Sequence, residues 1–151
     1  MRKILLCSGL ALLLLGVWSG WRALHPPLSD EQQISVALDG IVEAANSRQP
    51  RGIMQFLAPD FKFQGGSRKD FQNSLVGGIL QFRGVDLQLS GVEVVVKVTT
   101  ATSAGRFRLS LKSEANSTPE ITNGGFNLKW KKVDGQWLIG EAEMQNPGLA
   151  F

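Results

Sequence analysis

The chain has 151 residues, 43% of them hydrophobic, a formal charge of +3 and a pI near 9.3. That length holds one domain with a core large enough to fold without disulfide staples. Arg2, Lys3 and Arg22 account for the whole charge excess, since no acid precedes Asp30 and 13 basic residues then face 13 acidic ones; a neutral remainder argues against a nucleic-acid partner, which selects a basic excess.

Residues 1–24 read as a signal peptide or single-pass membrane anchor. Met1-Arg-Lys is a short basic start, and Ile4 to Val17 is apolar apart from Cys7, Ser8, Gly9 and Gly16. A charged n-region before an apolar h-region is the pattern of an export signal. From Ile4 to Trp21 the segment, at about 1.5 Å rise per residue, comes near the thickness of a bilayer core. Trp18, Trp21 and Arg22 suit the interface of a retained anchor, and basic residues ahead of it keep the N-terminus in the cytoplasm. Cys7 follows Leu6, where a lipoprotein cysteine needs a small residue. The expected address is the inner membrane facing the periplasm, or secretion if the segment is cleaved. Residues 25–30, with Pro26-Pro27, form a stiff linker.

The domain is expected over residues 31–147. From Glu31 to Asn46, Ile34, Ala37, Leu38, Ile41, Val42 and Ala45 fall on one helical face, with Ser29 or Asp30 as cap. Pro50 opens a second helix, Gly52 to Leu57, which Pro59 ends. Phe61-Lys-Phe63 alternates like a brief strand. Ser67 to Leu80 fits a third helix, with Ser67 and Asp70 in capping-box spacing.

Beyond Gln81 the hydrophobic period changes to two. Val85 to Leu89, Val92 to Val98, Arg106 to Lys112, Phe126 to Trp130 and Trp137 to Met144 read as strands. Asn116 to Asn123 reads as a polar loop, and Val133-Asp134-Gly135 as a tight turn. Helices precede an antiparallel sheet, so the fold class is α+β.

A long helix and a short one lead to Phe56-Leu-Ala-Pro-Asp-Phe-Lys-Phe63. A third helix and long strands follow, closing on Trp130-Lys-Lys-Val-Asp-Gly-Gln-Trp137-Leu-Ile139. This order, over roughly residues 31–145, resembles the NTF2-like superfamily. The resemblance implies a cone, with three N-terminal helices packed on a strongly bent antiparallel sheet behind one N-terminal hydrophobic helix. It also implies a pocket, whose aromatic lining is assigned to Phe63, Phe82, Phe126 and Trp130. The superfamily includes isomerases, dehydratases, transport adaptors and membrane-anchored secretion components, so fold alone does not settle activity.

The proton-moving positions of the steroid-isomerase branch align near Ile41, Gly65 and Leu128, none of which moves a proton, and the chain has no tyrosine. The His-Asp pair of the dehydratase branch fails because the single histidine, His25, precedes the domain. With Cys7 the one cysteine, no His or Cys cluster for a metal and no Ser-His or Cys-His pair is available. No metal or cofactor is expected. Asp60 reads as a turn residue and Arg83 as a surface charge. Arg106, Arg108, Lys112, Lys129 and Lys131 form a row of outer-face charges that reads as solvated, or as a strip meeting lipid or a partner.

Glu141 and Glu143 are the candidate catalytic residues, and their orientation depends on hairpin register. A two-residue Asp134-Gly135 loop pairs Trp130 with Ile139 and turns both carboxylates toward Leu128 and Phe126, where burial raises a carboxyl pKa. A three-residue loop with a bulge pairs Trp130 with Leu138 and sends both outside beside Lys129 and Lys131, because one register step flips every side chain. Gly135 in last place favours the bulged loop and the outer face. The expected function is an exported or membrane-anchored domain with a non-catalytic binding or protein-interaction role. A protein partner or a second copy would meet its sheet. The alternatives are a small-molecule isomerase or hydrolase using a pocket carboxylate, and a structural subunit of a cell-envelope or secretion complex.

Overall fold

A computed structural model describes residues 27–114 and 117–145. The hydrophobic segment at 1–24, the start of the linker and the last residues assigned to the domain lie outside the described residues. Among the described residues no helix is long and apolar enough to cross a membrane.

The first described helix, α1 (Asp30–Asn46), starts at a capping box. The Ser29 hydroxyl accepts from the Gln32 N–H at 3.2 Å, and the Ser29 N–H donates to Gln32 Oε1 at 2.9 Å. These bonds satisfy two amide donors that a helix start leaves orphaned. Its apolar face buries Ile34, Ala37, Leu38, Ala44 and Ala45. Pro50 then sits at the start of a single turn, α2 (Pro50–Met54), where its missing N–H removes no bond.

The chain leaves α2 three residues before the expected helix end and enters β1 (Leu57–Phe63). The cause is a strand formed last in sequence. The Phe56 carbonyl accepts from the Ile139 N–H at 2.9 Å, and Leu57 pairs with Ile139. A tight turn at Gln64-Gly65, both at positive φ (47° and 84°), leads to β2 (Gly66–Ser67). Helix α3 (Arg68–Gln81) starts at a second capping box, in which Ser67 Oγ accepts from the Asp70 N–H and Asp70 Oδ2 accepts from the Ser67 N–H.

Four long strands follow, β3 (Gly84–Val96), β4 (Thr100–Lys112), β5 (Glu120–Val133) and β6 (Gln136–Gln145). The two expected segments at 85–89 and 92–98 are one strand, with a bulge between Ser90 and Glu93 and Gly91 at φ 59°. Glu120 to Asn123, expected in a loop, belong to β5. The sheet order is β2-β1-β6-β5-β4-β3. The expectation of a wholly antiparallel sheet is corrected at one pair: β1 runs parallel to β6. Alternation along β1 reveals a strand but carries no information on the direction of a partner some eighty residues later in the chain.

The inner sheet face and α1 enclose the core, centred on Trp130, Ile34, Phe61, Trp137 and Ile139. Trp130 is 2% exposed and its indole N–H donates to Ser103 Oγ at 2.8 Å, pairing the two polar groups in the dry centre. A smaller apolar cluster of Ala44, Ala45, Ile53 and Ile79 joins α1, α2 and α3. Gly124 lies so close beneath Phe107 that a Cβ there would stand 2.7 Å from its ring, which explains a glycine within β5.

Candidate functional site

Between the two clusters lies an apolar cavity of about 190 Å³. Helix α3 forms one wall with Phe71, Leu75, Gly78 and Ile79, which recur at helical spacing on one face, and Phe82 follows at its end. Ile41 and Ala45 of α1 and Ile53 of α2 line a second side, and Phe63 of β1 stands beside Phe71 with ring centroids 5.0 Å apart. Val85, Leu87, Phe107, Leu109, Leu111 and Met144 form the sheet wall. Alternation along β3 and β4 sends the first five of these inward while Asp86, Gln88, Arg106 and Arg108 point out.

No lining side chain ionises or offers a strong hydrogen bond. Asn46, next to the lining residue Ala45, is engaged elsewhere: its Oδ1 accepts from the Leu87 N–H at 2.6 Å and its Nδ2 donates to the Leu87 carbonyl at 3.2 Å. The cavity therefore selects by shape and desolvation. A molecule held there meets methyl, methylene and phenyl groups, with nothing placed to take or give a proton. Wider hollows of about 510 and 670 Å³ lie open on the surface, beside Asp60, Lys62 and Arg68 in one case and Arg106 and Arg108 in the other.

Glu141 and Glu143 lie on the opposite side of the sheet. The closing turn is the two-residue Asp134-Gly135 type, both residues at positive φ (50° and 81°), and Trp130 pairs with Ile139. Yet Lys129 pairs with Glu141, so Gly140 is an extra residue within β6. This bulge reverses the outcome that the short loop alone would give. Ala142 and Met144 turn inward, and both glutamates turn out. The expected outer orientation holds, but its cause is a bulge at Gly140 in place of a three-residue loop. Two carboxylates outside the cavity cannot act on a molecule inside it.

Of the four aromatic residues assigned to a pocket lining, Phe63 and Phe82 face the cavity. Phe126 is buried in the sheet and Trp130 belongs to the core through Ser103, so neither lines it. Sequence reading missed Phe71, Leu75 and Phe107. The repeat Phe71, Leu75, Ile79, Phe82 was the available signal. Of the three isomerase-like positions, Ile41 lines the cavity, Leu128 packs on the core and Gly65 sits in the β1–β2 turn.

The outer-face row of basic residues is interrupted by acids. Lys129 Nζ donates to Glu141 Oε2 at 2.9 Å, and this bond, then the same carboxylate's charge, raises the Lys129 pKa above its ordinary 10.5. Lys131 pairs with Asp60, which is a strand residue and not part of a turn; the bond holds the Asp60 carboxyl below its ordinary 3.8. Arg106, Arg108 and Lys112 share the outer face of β4, and Arg83 is exposed. Among the described residues no group of three His, Cys, Asp or Glu is placed to hold a metal.

The sequence matches no protein-family model, and no curated protein matches it. Solved structures do resemble it. A provisionally assigned scytalone dehydratase from Novosphingobium aromaticivorans DSM 12444 superposes with TM-score 0.70 at 18% identity, over 76% of this chain and 82% of that one. An NTF2-like superfamily protein from Salmonella enterica serovar Typhimurium LT2 gives 0.65 at 15%, over 80% and 92%. An NTF-2 like protein of unknown function from Shewanella oneidensis MR-1 gives 0.58 at 17%, over 77% and 98%. At such identities the likeness is one of fold: the chain has the α+β fold of NTF2-like proteins, with helices on a six-stranded sheet.

Proposed function

We propose that this is a non-catalytic binding domain, held at the cell envelope by its N-terminal segment, that takes a small neutral apolar ligand. The observation that carries the reading is the lining: a partly open apolar cavity of about 190 Å³ with no ionisable side chain in its wall. A hydrocarbon or single-ring molecule gains roughly 25 cal/mol for each Å² of apolar surface removed from water and leaves no buried polar group unpaired there. The address rests on the basic start, the apolar run from Ile4 and the tryptophans at 18 and 21. In this reading the outer sheet face, with Arg106 and Arg108, is turned away from the ligand and free for a protein partner or a second copy.

Binding is tested by titrating the full chain in detergent with toluene at fixed vapour activity, which sets the free ligand concentration regardless of micelle uptake. Saturable binding that Leu75→Trp abolishes by filling the cavity supports the reading; equal uptake by both proteins sinks it. The address is tested separately by protease treatment of spheroplasts and carbonate extraction of membranes. A protected cytosolic domain would remove that half of the proposal and leave the ligand half standing.

A further inference from the structure

The cavity is small for a ligand site. It exceeds the roughly 150 Å³ of an engineered core cavity that holds benzene, and falls below the roughly 300–1,000 Å³ of sites for larger ligands. Its walls differ in stiffness. The sheet side is a continuous ladder through β3, β4, β5 and β6. The opposite side is α3, which buries only Ile79.

Helix α3 carries Gly77-Gly78 in its interior, where each glycine weakens a helix relative to alanine. Packing does not require the first of them: a Cβ at Gly77 would meet nothing within 4 Å. Both ends of the helix are tied. Arg68 Nη2 donates to the Met54 carbonyl at 3.1 Å, and Arg48 donates through Nη2 to the Leu80 carbonyl and through Nη1 to that of Arg83, each at 3.5 Å. A helix tied at its ends and weak at its centre yields at its centre.

Building on the apolar-ligand reading, we infer that α3 is a yielding wall that bows outward at Gly77-Gly78, so that the site accepts alkyl-aromatic molecules larger than its present volume. Gly77 is then a specificity-determining residue that never touches the ligand. Its side-chain absence lowers the cost of opening and thereby sets the upper size limit.

Gly77→Ala isolates this role because it adds helix stability without a new contact. The full chain and the variant are titrated with benzene, ethylbenzene and n-butylbenzene at fixed vapour activity. The expected result is wild-type affinity that continues to rise through n-butylbenzene. The variant should bind benzene with unchanged Kd and n-butylbenzene about fivefold more weakly, the ratio that corresponds to the glycine-to-alanine helix difference. Identical size profiles for the two proteins, or wild-type affinity that collapses above ethylbenzene, would overturn the inference. Failure of every member of the series to bind wild type would instead overturn the cavity reading. Amide exchange of residues 75–81 without ligand then still reads the wall: a fivefold slowing in Gly77→Ala supports a helix that opens there, and unchanged exchange refutes it.

Discussion

Asn46 and Leu87 are joined twice, through the Leu87 N–H to Asn46 Oδ1 and the Asn46 amide to the Leu87 carbonyl, so one side chain imitates a neighbouring strand. β3 is an edge strand of the sheet, and unpaired edge groups are templates for unwanted pairing. The last residue of α1 thus covers part of that edge and ties α1 to β3. Asn46→Ala should destabilise the protein by about 1–2 kcal/mol, from two lost hydrogen bonds near water. A urea midpoint shift with unchanged slope is the check. Asn46→Asp should behave similarly, because a carboxylate keeps the acceptor and loses the donor.

The buried Trp130–Ser103 bond makes a second test. Ser103 is fully buried and Trp130 is 2% exposed, so Ser103→Ala leaves an indole N–H without a partner. A loss of about 1–3 kcal/mol is expected in chemical denaturation. A neutral substitution would mean that the serine contributes only volume.

The bulge at Gly140 predicts an asymmetric pair of outcomes. Glu141→Gln and Glu143→Gln should each alter stability by less than about 1 kcal/mol, since both side chains face solvent and the Lys129 pair is a surface one. Deletion of Gly140 should cost more, about 1–3 kcal/mol, by straightening β6 where it is bulged, yet the fold should survive, because Ile139 stays opposite Trp130 and Glu141 opposite Lys129, so both carboxylates remain outside. Circular dichroism melts of the three variants distinguish these outcomes.

Acid sensitivity should follow three aspartates. Hydrogen bonds from Lys132 and then Trp137 lower the Asp30 pKa, the Lys131 bond lowers that of Asp60, and the Ser67 hydroxyl and amide lower that of Asp70, each from an ordinary 3.8. A lowered carboxyl pKa contributes stability that is present above the unfolded value and is lost as pH falls through the folded one. Melting temperature should therefore hold through neutral pH and drop below about pH 4. Asp30→Asn should flatten part of that fall. The raised Lys129 pKa acts oppositely, with its contribution complete below 10.5 and lost as pH rises beyond it.

Local features were the most legible from sequence. The Ser67–Asp70 capping box, the α1 face through Ile34 and Leu38, and the alternation from Arg106 to Lys112 each depend on neighbours a few residues away. What escaped depends on distant partners. Pairing of Leu57 with Ile139 shortens α2 and makes the sheet mixed, and no periodicity encodes it. The bulge had a visible signal, an isolated glycine within a strand, but Gly135 offered a competing explanation for the same register step. Phe126 and Trp130 have the alternation that Phe63 also shows, and only the position of α3 decides which aromatics face a cavity and which face the core.

The central claim is that the apolar cavity holds a ligand without performing chemistry on it. Its most direct test is the toluene titration of the full chain followed by methyl NMR. Saturable shifts should be confined to cavity residues such as Leu75, Leu87, Leu111 and Met144, with toluene recovered unchanged. Shifts absent there, or centred on the outer face near Arg106 and Glu141, would contradict it.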